Sequence, residues 1–124
     1  MGANMSGYQA YKKTQVQTAD QGSLILMCYD GAIGFLKQAR QAHRDNDFKS
    51  FSSFLIRAQN ILWELNNSLN LEAGELAYNL ESLYNYMIRR IIDAEYKDST
   101  EPVDEVVGFL EELKESWVKI IKKT

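Results

Sequence analysis

Apolar residues recur along this chain at three- and four-residue spacing over four long stretches, with polar clusters between them. At 3.6 residues per turn, positions i, i+3, i+4 and i+7 share a face, so this pattern predicts amphipathic helices. The first helix is expected over 21–43, with Asp20 as N-cap, because its carboxylate can accept free first-turn N–H groups. It carries Leu24, Ile25, Leu26, Met27, Cys28 and Tyr29, then Ala32, Ile33, Phe35 and Leu36. The second, over 48–69 and capped by Asp47, aligns Phe51, Leu55, Ala58, Leu62, Leu65 and Leu69. The third, over 75–96, aligns Leu76, Leu80, Leu83, Met87, Ile91 and Ala94, with Tyr84, Ile88 and Ile92 widening the stripe. The fourth, over 102–122, aligns Val103, Val106, Leu110, Leu113, Trp117 and Ile120. Pro102 suits its first turn, where a missing N–H has no intrahelical partner anyway.

The breaks at His43–Asp47, Leu71–Gly74 and Lys97–Glu101 are short, and short connections make sequence neighbours antiparallel. The expected fold is all-α: an antiparallel up-down-up-down four-helix bundle over residues 20–122. Residues 1–19 lack helical periodicity and are read as a mobile N-terminal lead within the same single domain, 1–124. Gly31 and Gly34 inside the first helix suggest a close helix approach or a local bend.

The apolar residues outnumber what one stripe per helix can use. Ile56 and Trp63 lie seven residues apart on a face beside the main stripe of the second helix. The first helix is apolar on more than one side, as a central helix or a partner-facing helix would be. Surplus apolar surface on a small helical domain calls for a partner.

Composition narrows the classes. The chain has 124 residues, 45% hydrophobic and 25% charged, and a net charge of -3, with its basic residues scattered. Nucleic-acid binding, which relies on clustered cations that displace counterions, is not expected. One cysteine allows no intramolecular disulfide, and no apolar run approaches membrane-spanning length. The opening residues MGANMSGYQAY carry neither a basic nor an apolar signal region, so a cytoplasmic location is expected.

Chemistry is scarce. One histidine, His43, and one cysteine, Cys28, cannot build a zinc site or the paired Glu-x-x-His motifs of a di-iron bundle. On one helix they would stand roughly 22 Å apart, out of hydrogen-bonding reach. Glu111, Glu112 and Glu115 read as a solvated face, with Glu115 able to pair with Lys119. Asp30, in an apolar stretch, is expected to be buried on a tyrosine or arginine donor. Arg89 and Arg90 are expected in ion pairs or on the surface. No metal, cofactor or catalytic activity is expected.

Several blocks carry a family resemblance: Tyr8-Gln-Ala-Tyr11, Val16-Gln-Thr18, Leu26-Met-Cys-Tyr-Asp-Gly-Ala32, Arg57-Ala-Gln-Asn-Ile61, Gly74-Glu-Leu-Ala-Tyr-Asn-Leu80 and Leu83-Tyr-Asn-Tyr-Met-Ile-Arg-Arg90, then Leu113 to Trp117. In order and spacing they resemble the flagellin export chaperone family, FliS, from residue 8 to residue 121. Cys28 stands where the family usually has Leu, Asn85 where Asp is common, Glu95 where Asn is common, and Asp20-Gln21 where Ser-Pro is usual. The resemblance implies a cytosolic chaperone for the C-terminal segment of flagellin. Such a protein blocks premature polymerisation and helps deliver the subunit to the flagellar type III export gate. It also implies that the lead folds over part of the apolar surface until the client displaces it, with Tyr8, Tyr11 and Val16 as anchors. Leu24, Met27, Ile56, Trp63 and Tyr84 are the expected client contacts. The alternative is a structural bundle that uses its second stripe to form homo-oligomers.

Overall fold

The computed structural model describes residues 21–123, with side chains for 22–119. Four long helices dominate: α1 (Gln21–Arg44), α2 (Phe48–Asn67), α3 (Glu75–Lys97) and α4 (Glu101–Lys123). One short 3-10 turn, Leu71–Ala73, lies between α2 and α3. The expected lead and the Asp20 cap lie outside the described residues.

α1 packs on both α2 and α4, α2 packs on α3, and α3 on α4, which closes a ring of four helices. The order of the contacts gives the helix directions. Arg40 meets Asp104 while Asp30 meets Lys114, so α1 and α4 run in opposite senses. His43 lies against Phe51 while a Cβ at Gly31 would meet Ile61, which reverses α2 against α1. Ser52 near the start of α2 bonds Glu95 near the end of α3. Tyr86 and Arg90 of α3 reach Glu105 of α4, and Tyr86 also meets Phe109. These pairings make a four-helix bundle with short connections.

The helix ends show why the chain turns where it does. Asp47 caps α2, its Oδ1 accepting from the Ser50 N–H at 3.2 Å. That satisfies one of the donors a helix start leaves open. Asn46 and Asp98 take left-handed backbone conformations, φ 57° and 52°, just after α1 and α3. The following N–H groups of Asp47 and Ser99 then reach back to the carbonyls of Ala42 and Ala94. This Schellman arrangement satisfies final-turn carbonyls, and Asn and Asp tolerate that backbone better than other residues with a Cβ. Gly74 enters α3 at φ 113°, where only glycine fits without strain.

The core follows the predicted stripes with local exceptions. Phe51, Leu55, Ala58, Leu62 and Leu65 of α2 are buried, as are Val103, Val106 and Leu110 of α4. On α3 the stripe holds from Leu80 onward, with Leu80 and Leu83 partly buried against the core. Ala77, Tyr84, Met87, Ile88, Ile91 and Ala94 are buried, whereas Leu76 is 65% exposed and Ile92 47%. In the first turn of α3 it is Ala77 that faces the core, so Leu76, about 100° away around the helix, faces outward. Gly31 does mark a close approach, since an added Cβ would lie 3.2 Å from Ile61 Cδ1. Gly34 does not, because its Cβ would meet nothing within 4 Å.

Candidate functional site

The side chains the sequence left over for function separate into core and surface. Met27, Ile56 and Trp63 are exposed, at 43%, 46% and 42%, and Leu24 is half-buried. Tyr84 is not with them. At 2% exposure it belongs to the core, correcting the expectation that placed it among accessible contacts. Its hydroxyl lies 2.7 Å from that of Tyr29, and Trp117 Nε1 donates to Tyr29 Oη at 2.9 Å. Three helices therefore meet in one polar chain within an apolar interior. Burial drives both phenols above their ordinary pKa, so both stay neutral. Sequence spacing placed Tyr84 on the widened stripe but could not reveal the two hydroxyls that satisfy each other. The cap residues Tyr8, Tyr11 and Val16 lie outside the described residues.

Residues missed by the sequence reading join Ile56 and Trp63. From the Ser52–Glu95 bond, one turn forward along α2 and one turn back along α3 bring Ile56 beside Ile92. Trp63 continues the α2 row seven residues on, while Asn85 and Tyr78 continue the α3 row at the same interval. Tyr78 is 55% exposed. The two rows flank the α2–α3 seam, so the bundle leaves a strip of apolar side chains, interrupted by Asn85, along its outside. Ile92 and Tyr78 carry a signal in the sequence, since both keep heptad spacing with Asn85. Their neighbours' packing was needed to place them outside.

A second partly apolar face lies along the α1–α2 seam. Phe35 and Phe54 stack with ring centroids 6.3 Å apart and planes 24° from parallel. The Arg57 guanidinium carbon sits 5.8 and 5.7 Å from those two centroids.

Several charged groups are tied into the scaffold. Asp30, expected to be buried, is exposed and pairs with Lys114 at 2.6 Å. Its position on α1 turns toward α4 and away from the apolar interior. Arg90 donates to Glu105 at 2.6 Å, and Tyr86 donates to the same carboxylate at 3.0 Å. The Arg90 bond, assisted by that of Tyr86, holds the Glu105 carboxyl below its usual pKa. Lys119 pairs with Glu115 at 3.6 Å, as its spacing predicted. Asp30, Lys37, Glu111, Lys114, Glu115 and Lys119 line a shallow groove between α1 and α4, where charges of both signs alternate. Among the described residues no group of three or more His, Cys, Asp or Glu could hold a metal ion. No helix among the described residues is long and apolar enough to cross a membrane.

Known proteins give the comparison. The family model for flagellar protein FliS matches residues 4–124. The flagellar secretion chaperone FliS of Bacillus subtilis is 37% identical over 115 residues, covering 93% of this chain and 86% of that protein. Its counterpart from Salmonella typhimurium is 36% identical over 124 residues, covering 95% and 92%. The one from Campylobacter jejuni is 30% identical over 118 residues, covering 94% and 92%. With a helical bundle, an exposed apolar strip and a match over nearly its whole length, the chain belongs to the FliS family of flagellar proteins.

Proposed function

We propose that this protein is a cytoplasmic export chaperone that binds the C-terminal segment of flagellin and delivers it to the flagellar type III export apparatus. Its relatives carry the name flagellar secretion chaperone, which supports the class. The observation that carries the reading is the apolar strip of Ile56, Trp63, Tyr78 and Ile92 beside the α2–α3 seam. These side chains lie outside a core that is already complete, and they repeat at the interval of a helical partner.

The client folds as it binds. A segment that is disordered before assembly loses chain entropy on ordering, so it must bury a large apolar area to bind at all. Rows spaced by seven residues offer such a segment a template on which its own apolar face becomes helical. While those apolar groups are covered, they cannot nucleate filament contacts, and polymerisation waits for export. The chemistry is binding and release, with no bond made or broken.

Calorimetric titration of the full chain with a peptide of the flagellin C-terminal segment tests this, with the mass of the mixture measured in parallel. A 1:1 complex with a large negative heat-capacity change is expected, since buried apolar area sets that change. Absence of heat at several temperatures, together with no complex by mass, would remove the assignment. A concentration-dependent mass of the protein alone would then favour a homo-oligomeric bundle.

A further inference from the structure

We infer that Arg57, held over Phe35 and Phe54, is a docking point for a carboxylate on an amphipathic helical segment of the client. This rests on the export-chaperone reading and adds a charge-specific contact on the α1–α2 face.

The argument begins with what surrounds Arg57. On its own helix the positions three and four residues away are Phe54, Ser53, Asn60 and Ile61. None is acidic, so no side chain at pairing distance along α2 can neutralise it. Across the seam, Gly31, Gly34, Phe35 and Gln38 of α1 offer no carboxylate either. Arg57 accordingly has no hydrogen-bond or ion-pair partner among the described residues, whereas Arg40 and Arg90 are both paired with carboxylates.

Its position is nevertheless restrained. The guanidinium lies within 6 Å of two stacked ring faces, at 5.8 and 5.7 Å. Such contact is attractive through the ring quadrupoles and restrains a side chain that otherwise has many rotamers. The rings themselves are half-buried and pack on the core, so the platform is rigid. A restrained guanidinium keeps its planar N–H fork available, and that fork matches a carboxylate with two parallel hydrogen bonds. The face beside it has room for a backbone, because a Cβ at Gly34 would meet nothing within 4 Å and Met27 is 43% exposed. An apolar surface with one pre-oriented cation is complementary to an apolar helix face bearing one acid. In a chain of net charge -3, a uniformly acidic partner would be repelled.

The test is a double-mutant cycle on the full chain and the flagellin C-terminal peptide. Arg57→Gln removes the charge, Arg57→Lys keeps it without the fork, and each acidic residue of the peptide is changed singly to its amide. Arg57→Gln is expected to weaken binding roughly tenfold and to flatten its salt dependence. Arg57→Lys is expected to recover only part of the loss. One peptide amide variant should give the same loss against the wild-type chain and no added loss against Arg57→Gln. Equal binding and equal salt dependence for wild type and Arg57→Gln would overturn the inference and leave the chaperone reading intact. No binding by the wild-type chain would overturn the chaperone reading itself. An Arg57-dependent dimer of the protein alone would place a second copy on this face and also overturn the inference.

Discussion

The hydroxyl of Tyr29 joins side chains from three helices. Tyr84 lies 2.7 Å from it and Trp117 donates to it, while Tyr29 itself is fully buried. Removing the oxygen leaves the buried Tyr84 hydroxyl without its partner and takes the acceptor from the partly buried Trp117 N–H. Tyr29→Phe is expected to lower stability by about 1–3 kcal/mol, read from the denaturant midpoint at constant slope. The same pair sets a pH dependence. Burial raises both phenol pKa values in the folded state, so the folded chain holds these protons more tightly than the unfolded chain. That contribution is complete below the ordinary phenol value of about 10 and is lost as pH rises above it. Stability should therefore fall on the alkaline side, and less steeply in Tyr29→Phe. An identical alkaline profile for the two proteins would show that other groups control it.

At the scale of helices, two glycines with the same sequence signature differ. Both Gly31 and Gly34 sit inside α1, and glycine costs a helix interior up to about 1 kcal/mol relative to alanine. At Gly34 a methyl group meets open space, so Gly34→Ala is expected to stabilise the fold by up to about that amount. At Gly31 the methyl group arrives 3.2 Å from Ile61 Cδ1, so the propensity gain is offset by displacement of that side chain. Thermal melts of the two variants should rank Gly34→Ala above Gly31→Ala. The α2–α3 strip permits a separate test. Ile56→Ser together with Trp63→Ser removes exposed apolar groups without opening the core. Each change should cost about 1 kcal/mol of stability or less, yet weaken flagellin-peptide binding. Unchanged affinity in a folded double variant would move the client contact to another face.

For the molecule as a whole, exposed apolar rows pose a solubility problem until a client covers them. Tyr8, Tyr11 and Val16 in the lead are proposed to shield them, displaced when the client binds. Deleting residues 1–17 should then raise the fluorescence of a dye that reports accessible apolar surface, and an unchanged signal would discard the shield.

Local pattern and capping chemistry were enough to locate the helices. The α2 stripe, the Asp47 cap, Pro102 in the first turn of α4 and the Glu115–Lys119 pair all depend on residues within a few positions of one another. A helix repeats over such distances, so its presence and its apolar side are written in one segment. The fate of the surplus apolar groups is not. Tyr84 and Ile92 both widen the α3 stripe, yet Tyr84 finds the Tyr29 hydroxyl and is buried, while Ile92 falls beside the seam and stays 47% exposed. Asp30 looked buried from its neighbours in sequence but turns to Lys114 of α4. Burial depends on how two or three helices approach one another, and a few tens of degrees of rotation about a helix axis decide it. Such rotations are set by side chains distant in sequence, so only the packed bundle distinguishes the core from the surface left for a partner.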